Sequence, residues 1–318
     1  MKMNIWQELE KPFLILAPME GVTDLAFRQI VAKAGRPDLF YTEFTNVSSY
    51  ASEKGRHNAL ERLTITEADK PIIAQIWGKN PDHFSELSHA LESLGFAGVD
   101  LNFGCPDKHV NKAGGGAAMI KTPELAVDCY RKVKAATNLP VSIKTRLGFT
   151  YVDEYKTWLQ TLLAEHPAAL TVHLRTRKEM SKVAAHYELI PEILRMRAEL
   201  SPETKLVING DIKDRAAALA LHAKYPDIDG FMIGRGVFTN PYCFTDHVAT
   251  REEMMELLTL HLDLYEEQKN LHGLPYEPLK HYYKIYINNF PGASDLRAKL
   301  MGTHSVAEAR EVLREHSA

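Results

Sequence analysis

Short apolar runs recur along the chain at intervals of roughly 25 to 40 residues, each followed by a stretch with helical periodicity. Residues 13–19, 39–44, 71–77, 98–103, 140–147, 169–174, 205–210 and 230–235 predict eight strands. Thr23-Asp24, Asn80-Pro81 and Thr122-Pro123 are start signals for the helices that follow the first, third and fourth strands, and Gly35-Arg-Pro37 stops the first of these helices. Helical patterns over 152–165, 187–200 and up to 225 follow the next three strands. Residues 45–70 carry no element signal and read as a long polar connection.

This alternation predicts an α/β fold, a TIM (β/α)8 barrel of roughly 240 residues, with a doubly wound sheet as the competing topology. The barrel is favoured because residues with chemistry recur at the strand ends: Met19, Gln75, Cys105, Lys144, His173, Asn209 and Arg235. A barrel gathers all eight strand ends at one mouth, whereas an open sheet offers only a switch point. Beyond Pro241 the strand alternation stops and helical periodicity takes over, over 251–270, 278–289, 294–301 and 305–315. The expected division is therefore a barrel over 1–245 and a helical unit over 246–318.

Composition changes this picture little. The 318 residues are 45% hydrophobic and 25% charged, ordinary for a globular chain with a large core. No apolar run approaches the roughly 20 residues that span a bilayer, and the N-terminus lacks the pattern of a signal peptide, which places the protein in the cytoplasm with no membrane partner. Three cysteines without CxxC spacing form neither a disulfide framework nor a zinc site, and no His/Asp/Glu grouping has metal spacing. The net charge of −3 argues against nonspecific coating of nucleic acid while leaving room for a local basic groove.

Candidate chemistry centres on the fourth strand. Asp100-Leu-Asn-Phe-Gly-Cys-Pro106 ends in a tight turn that holds the Cys105 thiol at a strand tip, whereas Cys129 and Cys243 read as packing. The following Gly114-Gly-Gly116 suits either close backbone approach to a ligand or a mobile loop. Lys144 and Arg146, two residues apart on a strand, share one side, either the pocket or a solvated edge. Asn209-Gly-Asp211 and Gly234-Arg-Gly236 follow the seventh and eighth strands, where TIM barrels bind phosphate. His173 reads equally well as a pocket group or a packed one.

Taken together, Leu16-Ala-Pro-Met-Glu-Gly-Val-Thr-Asp24, Asp100-Leu-Asn-Phe-Gly-Cys-Pro106, Ser142-Ile-Lys-Thr-Arg-Leu-Gly148, Val172-His173, Asn209-Gly-Asp211, Ile233-Gly-Arg-Gly236 and Asn289-Phe-Pro-Gly-Ala-Ser-Asp-Leu-Arg297 resemble the tRNA-dihydrouridine synthase family over almost the whole length. The resemblance implies an FMN-dependent oxidoreductase, reduced by NADPH or NADH, that reduces the C5=C6 bond of uridines in tRNA, at the D-loop or a neighbouring position. It implies Cys105 as proton donor and Ala17, Pro18 and Met19 along the isoalloxazine, with Gln75 and Lys144 hydrogen-bonded to it. His173, Asn209, Gly210, Asp211, Gly234 and Arg235 would surround the ribityl phosphate, and Asn102 and Arg146 the uracil. The partner would be tRNA, bound by a monomer with no metal.

Because the target base must leave its stack, cationic surfaces have to offset that cost through phosphate contacts. The candidates are Lys54/Arg56/Arg62, Lys108/Lys112/Lys121, Arg175/Arg177/Lys178/Lys182 and Lys280/Lys284/Arg297/Lys299, with Lys108 and Lys112 foremost because they follow Cys105. The loop bearing them is expected to order only with tRNA. The chain departs from the family pattern after His173, where Leu174 and the segment 178–186 replace a glycine and an aromatic-rich stretch. Two other readings fit the same residues: an FMN-dependent reductase of a small pyrimidine or enone, and a noncatalytic tRNA-binding factor.

Overall fold

The computed structural model describes residues 4–317; the Met1-Lys-Met opening of the N-terminus lies outside them. Nine parallel strands build one barrel: β1 (Phe13–Leu16), β2 (Phe40–Tyr41), β3 (Thr45–Asn46), β4 (Ile72–Trp77), β5 (Gly98–Phe103), β6 (Val141–Arg146), β7 (Ala169–His173), β8 (Lys205–Asn209) and β9 (Gly230–Ile233). Hydrogen bonding runs β1-β9-β8-β7-β6-β5-β4-β2, with β3 also on β4. The last seam is closed by the Ile15–Leu39 bridge, with Asp38 N–H donating to the Leu14 carbonyl at 2.9 Å.

The predicted second strand over 39–44 shortens to β2, and the second short piece, β3, forms just beyond it. Thr42 stays in the sheet through its backbone and takes a hydrogen bond from Gln75 N–H on its hydroxyl at 3.1 Å, while Glu43 accepts from Gly21 N–H at 2.6 Å. The connection expected after it contains two helices, Val47–Ala51 and Glu53–Glu61, capped by Asn46 and Ser52. The second buries only Ala59, so it leaves no apolar stripe in the sequence.

Two apolar clusters follow from strand alternation. Along β4, Ile72, Ala74 and Ile76 face the helices, while Ile73 points into the barrel with Phe13, Ile15, Tyr41, Val207 and Met232. Trp6, fully buried and 6.0 Å from the Phe13 ring, belongs to this inner cluster. Further along the strands the inward positions turn polar: Ile73 gives way to Gln75, Val207 to Asn209, and Ala169 to Thr171 and then His173. The barrel thus has an apolar floor and a polar mouth.

The C-terminal helices are fused to the barrel's outer core. Arg251–His272, opened by a Thr250/Glu253 capping box, contributes Leu257, Leu258 and Leu262 to the cluster that contains Phe27 and Ile30. His261 is fully buried, held neutral by desolvation that pulls it to about 3, and bonds Tyr286 Oη at 2.7 Å. Tyr282 Oη donates to the Val22 carbonyl at 2.8 Å, tying this unit to the loop that carries Met19. Among the described residues no helix is long and apolar enough to cross a membrane.

Candidate active site

A cavity of about 990 Å³ opens at the C-terminal ends of the strands. It is lined by Ala17, Pro18, Met19, Gln75, Asn102, Cys105, Lys144, Arg146, His173, Asn209, Gly210, Asp211, Gly234 and Arg235. Lys108 and Lys112 do not line it; they are exposed on the short helix Lys108–Lys112 beside it.

A chain of hydrogen bonds orients the thiol. Ser142 and Gln75 both donate to the buried Asp100 carboxylate at 2.7 Å, and Asn102 Nδ2 donates to Gln75 Oε1 at 2.9 Å. Asn102 Oδ1 in turn accepts from the backbone N–H groups of Gly104 and Cys105, at 3.1 and 2.9 Å. Asn102 therefore holds the turn as well as lining the cavity. Asp100, pushed up to about 6 by burial, was not singled out from the sequence, although an acid alternating with Val99 and Leu101 in a fully buried strand was the available signal.

The segment after Cys105 is folded onto it. Asn111 Nδ2 and Ala117 N–H donate to the Cys105 carbonyl at 2.8 and 3.0 Å, so the segment read as a loop contains a short helix, Lys108–Lys112, and a tight turn over Gly116–Lys121. Gly116 has φ +58°, and a Cβ there would lie 2.8 Å from Val110 Cγ1 and 2.9 Å from the Cys105 carbonyl oxygen. Gly116→Ala is expected to cost about 1–3 kcal/mol and to lower turnover by displacing Cys105, which denaturant titration and tRNA assays will measure. Burial raises the half-buried Cys105 thiol above its usual range despite the nearby Lys144 and Arg146, so the sulfur keeps its proton at neutral pH.

Lys144 and Arg146 share the inward face, but their roles diverge. Arg146 donates to the carbonyls of Gly104 at 2.8 Å and of Thr176 and Met180 at 3.1 Å, bracing the Cys105 turn against the segment after β7. Lys144 makes no hydrogen bond or ion pair among the described residues, and burial pulls it down to about 8. Its ammonium lines the cavity with its hydrogen-bonding capacity unspent.

His173 is kept neutral by burial and by the surrounding cations. Arg175 Nη1 lies 3.2 Å from His173 Nε2; a guanidinium only donates, so Nε2 accepts and Nδ1 carries the proton. Arg175 also pairs with Asp211, which meets Arg235 Nη2 at 3.0 Å and accepts from Ala185 N–H at 3.0 Å. Two guanidiniums against one carboxylate leave this corner positive, beside the open backbone at Gly210, φ +121°, and Asp211, φ +55°. Arg175, read from the sequence as an RNA-facing surface charge, is 2% exposed and belongs to this corner instead.

The surface reading changes in the same way for Lys280, which is buried and paired with Glu277, and in part for the half-buried Arg297, which donates to the Ile287 carbonyl; Arg56 and Lys121 stay exposed, the first paired with Glu86 and the second over the Phe149 ring. Lys54, Lys108, Lys112, Lys178, Lys182, Lys284 and Lys299 remain exposed. The cavity also gains Phe44 and Trp77, which the sequence reading missed as site residues, and Arg62, which it placed on an RNA-facing surface.

Comparison with known proteins decides the family. The dihydrouridine synthase family model matches residues 15–318. This chain belongs to that family. It is 49% identical over 312 residues to a probable tRNA-dihydrouridine synthase 2 of Bacillus subtilis, covering 98% of this chain and 95% of that one. It is 48% identical over 320 residues to a probable tRNA-dihydrouridine synthase of Staphylococcus aureus strain COL, covering 100% of this chain and 97% of the relative. Among solved structures, morphinone reductase superposes with a TM-score of 0.52 at 14% identity, covering 76% of this chain and 86% of its own. An old yellow enzyme homologue from Zymomonas mobilis gives a TM-score of 0.51 at 13% identity, covering 89% and 94%. At those identities the two structures bear on the barrel fold alone.

Proposed function

We propose that this dihydrouridine synthase family member reduces the C5=C6 bond of a uridine in tRNA, using FMN and a nicotinamide reductant. The observation that carries the reading is one cavity holding a protonated thiol, Cys105, near an unpaired, half-buried ammonium, Lys144, with a positive, glycine-bearing corner at Asp211 and Arg235. Those features fit the group: the corner suits a phosphate, and the ammonium suits the electron-rich edge of a reduced flavin.

When bound, FMN supplies the hydride that adds at C6 of the pyrimidine. Ala17, Pro18 and Met19 would lie along its ring, Gln75 and Lys144 would hydrogen-bond it, and His173, Asn209, Gly210, Asp211, Gly234 and Arg235 would hold its phosphate end. Cys105 Sγ–H then gives its proton to C5, forming the new C–H bond and leaving a thiolate. Lys144 and Arg146 stabilise that thiolate until solvent returns the proton. The base is neutral before and after, so the protein provides position and one proton.

Base extraction costs a few kcal/mol, which contacts from Lys108, Lys112 and the other exposed lysines to tRNA phosphates would offset. We assign tRNA contact to both the barrel mouth and the helical unit over 246–318, and place a monomeric enzyme in the cytoplasm. The test is direct: flavin-loaded protein, an unmodified tRNA transcript, and NADPH or NADH, with dihydrouridine mapped position by position. Dihydrouridine at a defined site is expected. Reduction of free uracil with tRNA inert would make the chain a small-molecule reductase, and tRNA binding without reduction by either nicotinamide would make it a noncatalytic factor.

A further inference from the structure

One wall of the cavity has no role in the mechanism above. It is built by β3, β4 and the helix Glu53–Glu61, and it presents Phe44, Asn46, Asn58, Arg62 and Trp77. Along β4 the inward positions run Ile73, Gln75, Trp77, so the indole stands one strand repeat, about 7 Å, nearer the mouth than Gln75. Cys105 belongs to the same level: Gln75 is in register with Asp100, which sets Trp77 level with Asn102, and Asn102 Oδ1 holds the Cys105 N–H at 2.9 Å. Trp77 and Cys105 thus share the outer level of the cavity, above the level of Gln75.

The ring is braced. Phe44 meets it edge-on at 6.3 Å and 80°, and a Cβ on Gly115 would lie 2.7 Å from its Cε3. Gly115 precedes Gly116, which packs on Cys105, so the indole and the thiol are joined through two consecutive glycines. Trp77 nevertheless remains partly exposed, and its Nε1–H has no partner among the described residues and is not among their buried unpaired atoms. Apart from His173, Phe44 and Trp77 supply the aromatic rings of the cavity lining.

Charge does not draw a phosphate here. Arg62 meets both carboxylate oxygens of Glu20, Nη1 at 2.9 Å, so its cation is already paired, and Glu43, which burial pushes up to about 7, lies 3.9 Å away. A neutral planar ring is what this wall fits. We propose that Trp77, braced by Phe44 and Gly115, is a stacking surface for the extruded pyrimidine on the Cys105 side, the face turned away from the hydride donor; this rests on the reading of the chain as a tRNA uridine reductase. Saturating C5 and C6 puckers the ring, so the product loses the flat face that stacks, and the same contact that holds substrate favours release of product.

The test uses the flavin-loaded enzyme and whole tRNA. Trp77→Leu keeps apolar bulk against Gly115 but removes the aromatic face. It is expected to raise both Kd and KM for tRNA by roughly five- to a hundred-fold, the range for stacking of one base, with Trp77→Phe recovering most of the loss. The unaltered enzyme offers a second measurement that needs no variant to fold. Trp6 and Trp158 are buried at 0% and 2% exposure, so a change in tryptophan emission on adding tRNA reports Trp77. A transcript with uridine at the target should change it more than one carrying dihydrouridine there. Equal emission changes for the two transcripts, wild-type tRNA affinity in Trp77→Leu, or equal losses of turnover in Leu and Phe variants with tRNA affinity intact would each overturn the proposal while leaving uridine reduction standing. Failure of the wild-type enzyme to reduce tRNA would overturn both.

Discussion

Cys105→Ala is expected to keep its flavin and to lose turnover on tRNA by at least about a hundred-fold, the contribution of a positioned general acid. The thiol is the group placed to deliver a proton at the outer level of the cavity, and its geometry is set by its neighbours. Asn102 fixes the turn through the Gly104 and Cys105 amides, and Arg146 fixes the Gly104 carbonyl. Removing Sγ leaves these bonds to the backbone intact, so the loss isolates the proton and not the fold. Burial raises the thiol above its usual range, so it stays protonated through neutral pH and should not itself produce a limb in the pH profile there. Single-turnover reaction of pre-reduced enzyme with tRNA is the measurement. Wild-type rates in the variant would remove Cys105 from the mechanism.

Lys144→Met should produce effects of opposite sign on function and stability. Burial, and then Arg146, pull the ammonium from 10.5 to about 8, against the pull of Asp100 and Cys105 in the other direction. Its folded-state value therefore lies below its unfolded one. Between about 8 and 10.5 the unfolded chain binds this proton and the folded one does not, so the group's contribution to stability rises with pH across that window. Below about 8 both states are charged and the burial penalty is fully present. Lys144→Met removes the penalty, so the flavin-free variant should melt higher than wild type at pH 7, with the gain shrinking as pH climbs toward 10.5. Turnover should nevertheless collapse, because the cation we assign to the flavin and the thiolate is gone. Wild-type activity should fall on the alkaline side at or above about 8, later if the bound cofactor's negative charge holds the proton. Lys144→Arg should push that limb further up. An unchanged melting temperature in Lys144→Met would contradict the penalty, and retained turnover the role.

These two residues show how far the sequence reached. Period-two alternation put Lys144 and Arg146 on one face, and the structure keeps them there. The resemblance gave them separate partners, but the bracing role of Arg146 was not readable, because the three carbonyls that occupy it come from Gly104, Thr176 and Met180, remote along the chain. Arg175 illustrates the same limit: beside Arg177 and Lys178 it looks like a surface charge, and it is Asp211, brought by the neighbouring strand β8, that together with the adjacent His173 makes it a buried partner. Trp77 was visible as the last apolar residue of a strand, but nothing local distinguished a ring in the cavity from one in the core.

By itself the sequence determined the barrel, the helical unit after it, and the strand-end residues around the mouth, because strand periodicity and chain order are local properties that any fold of this repeat must respect. Only the tertiary structure decided the broken second strand, the two polar helices that follow it, which cations are spent on backbone or acids, and which remain free for a ligand. Those outcomes depend on partners far away in sequence, whose hydrogen bonds and desolvation exist only once the strands have closed.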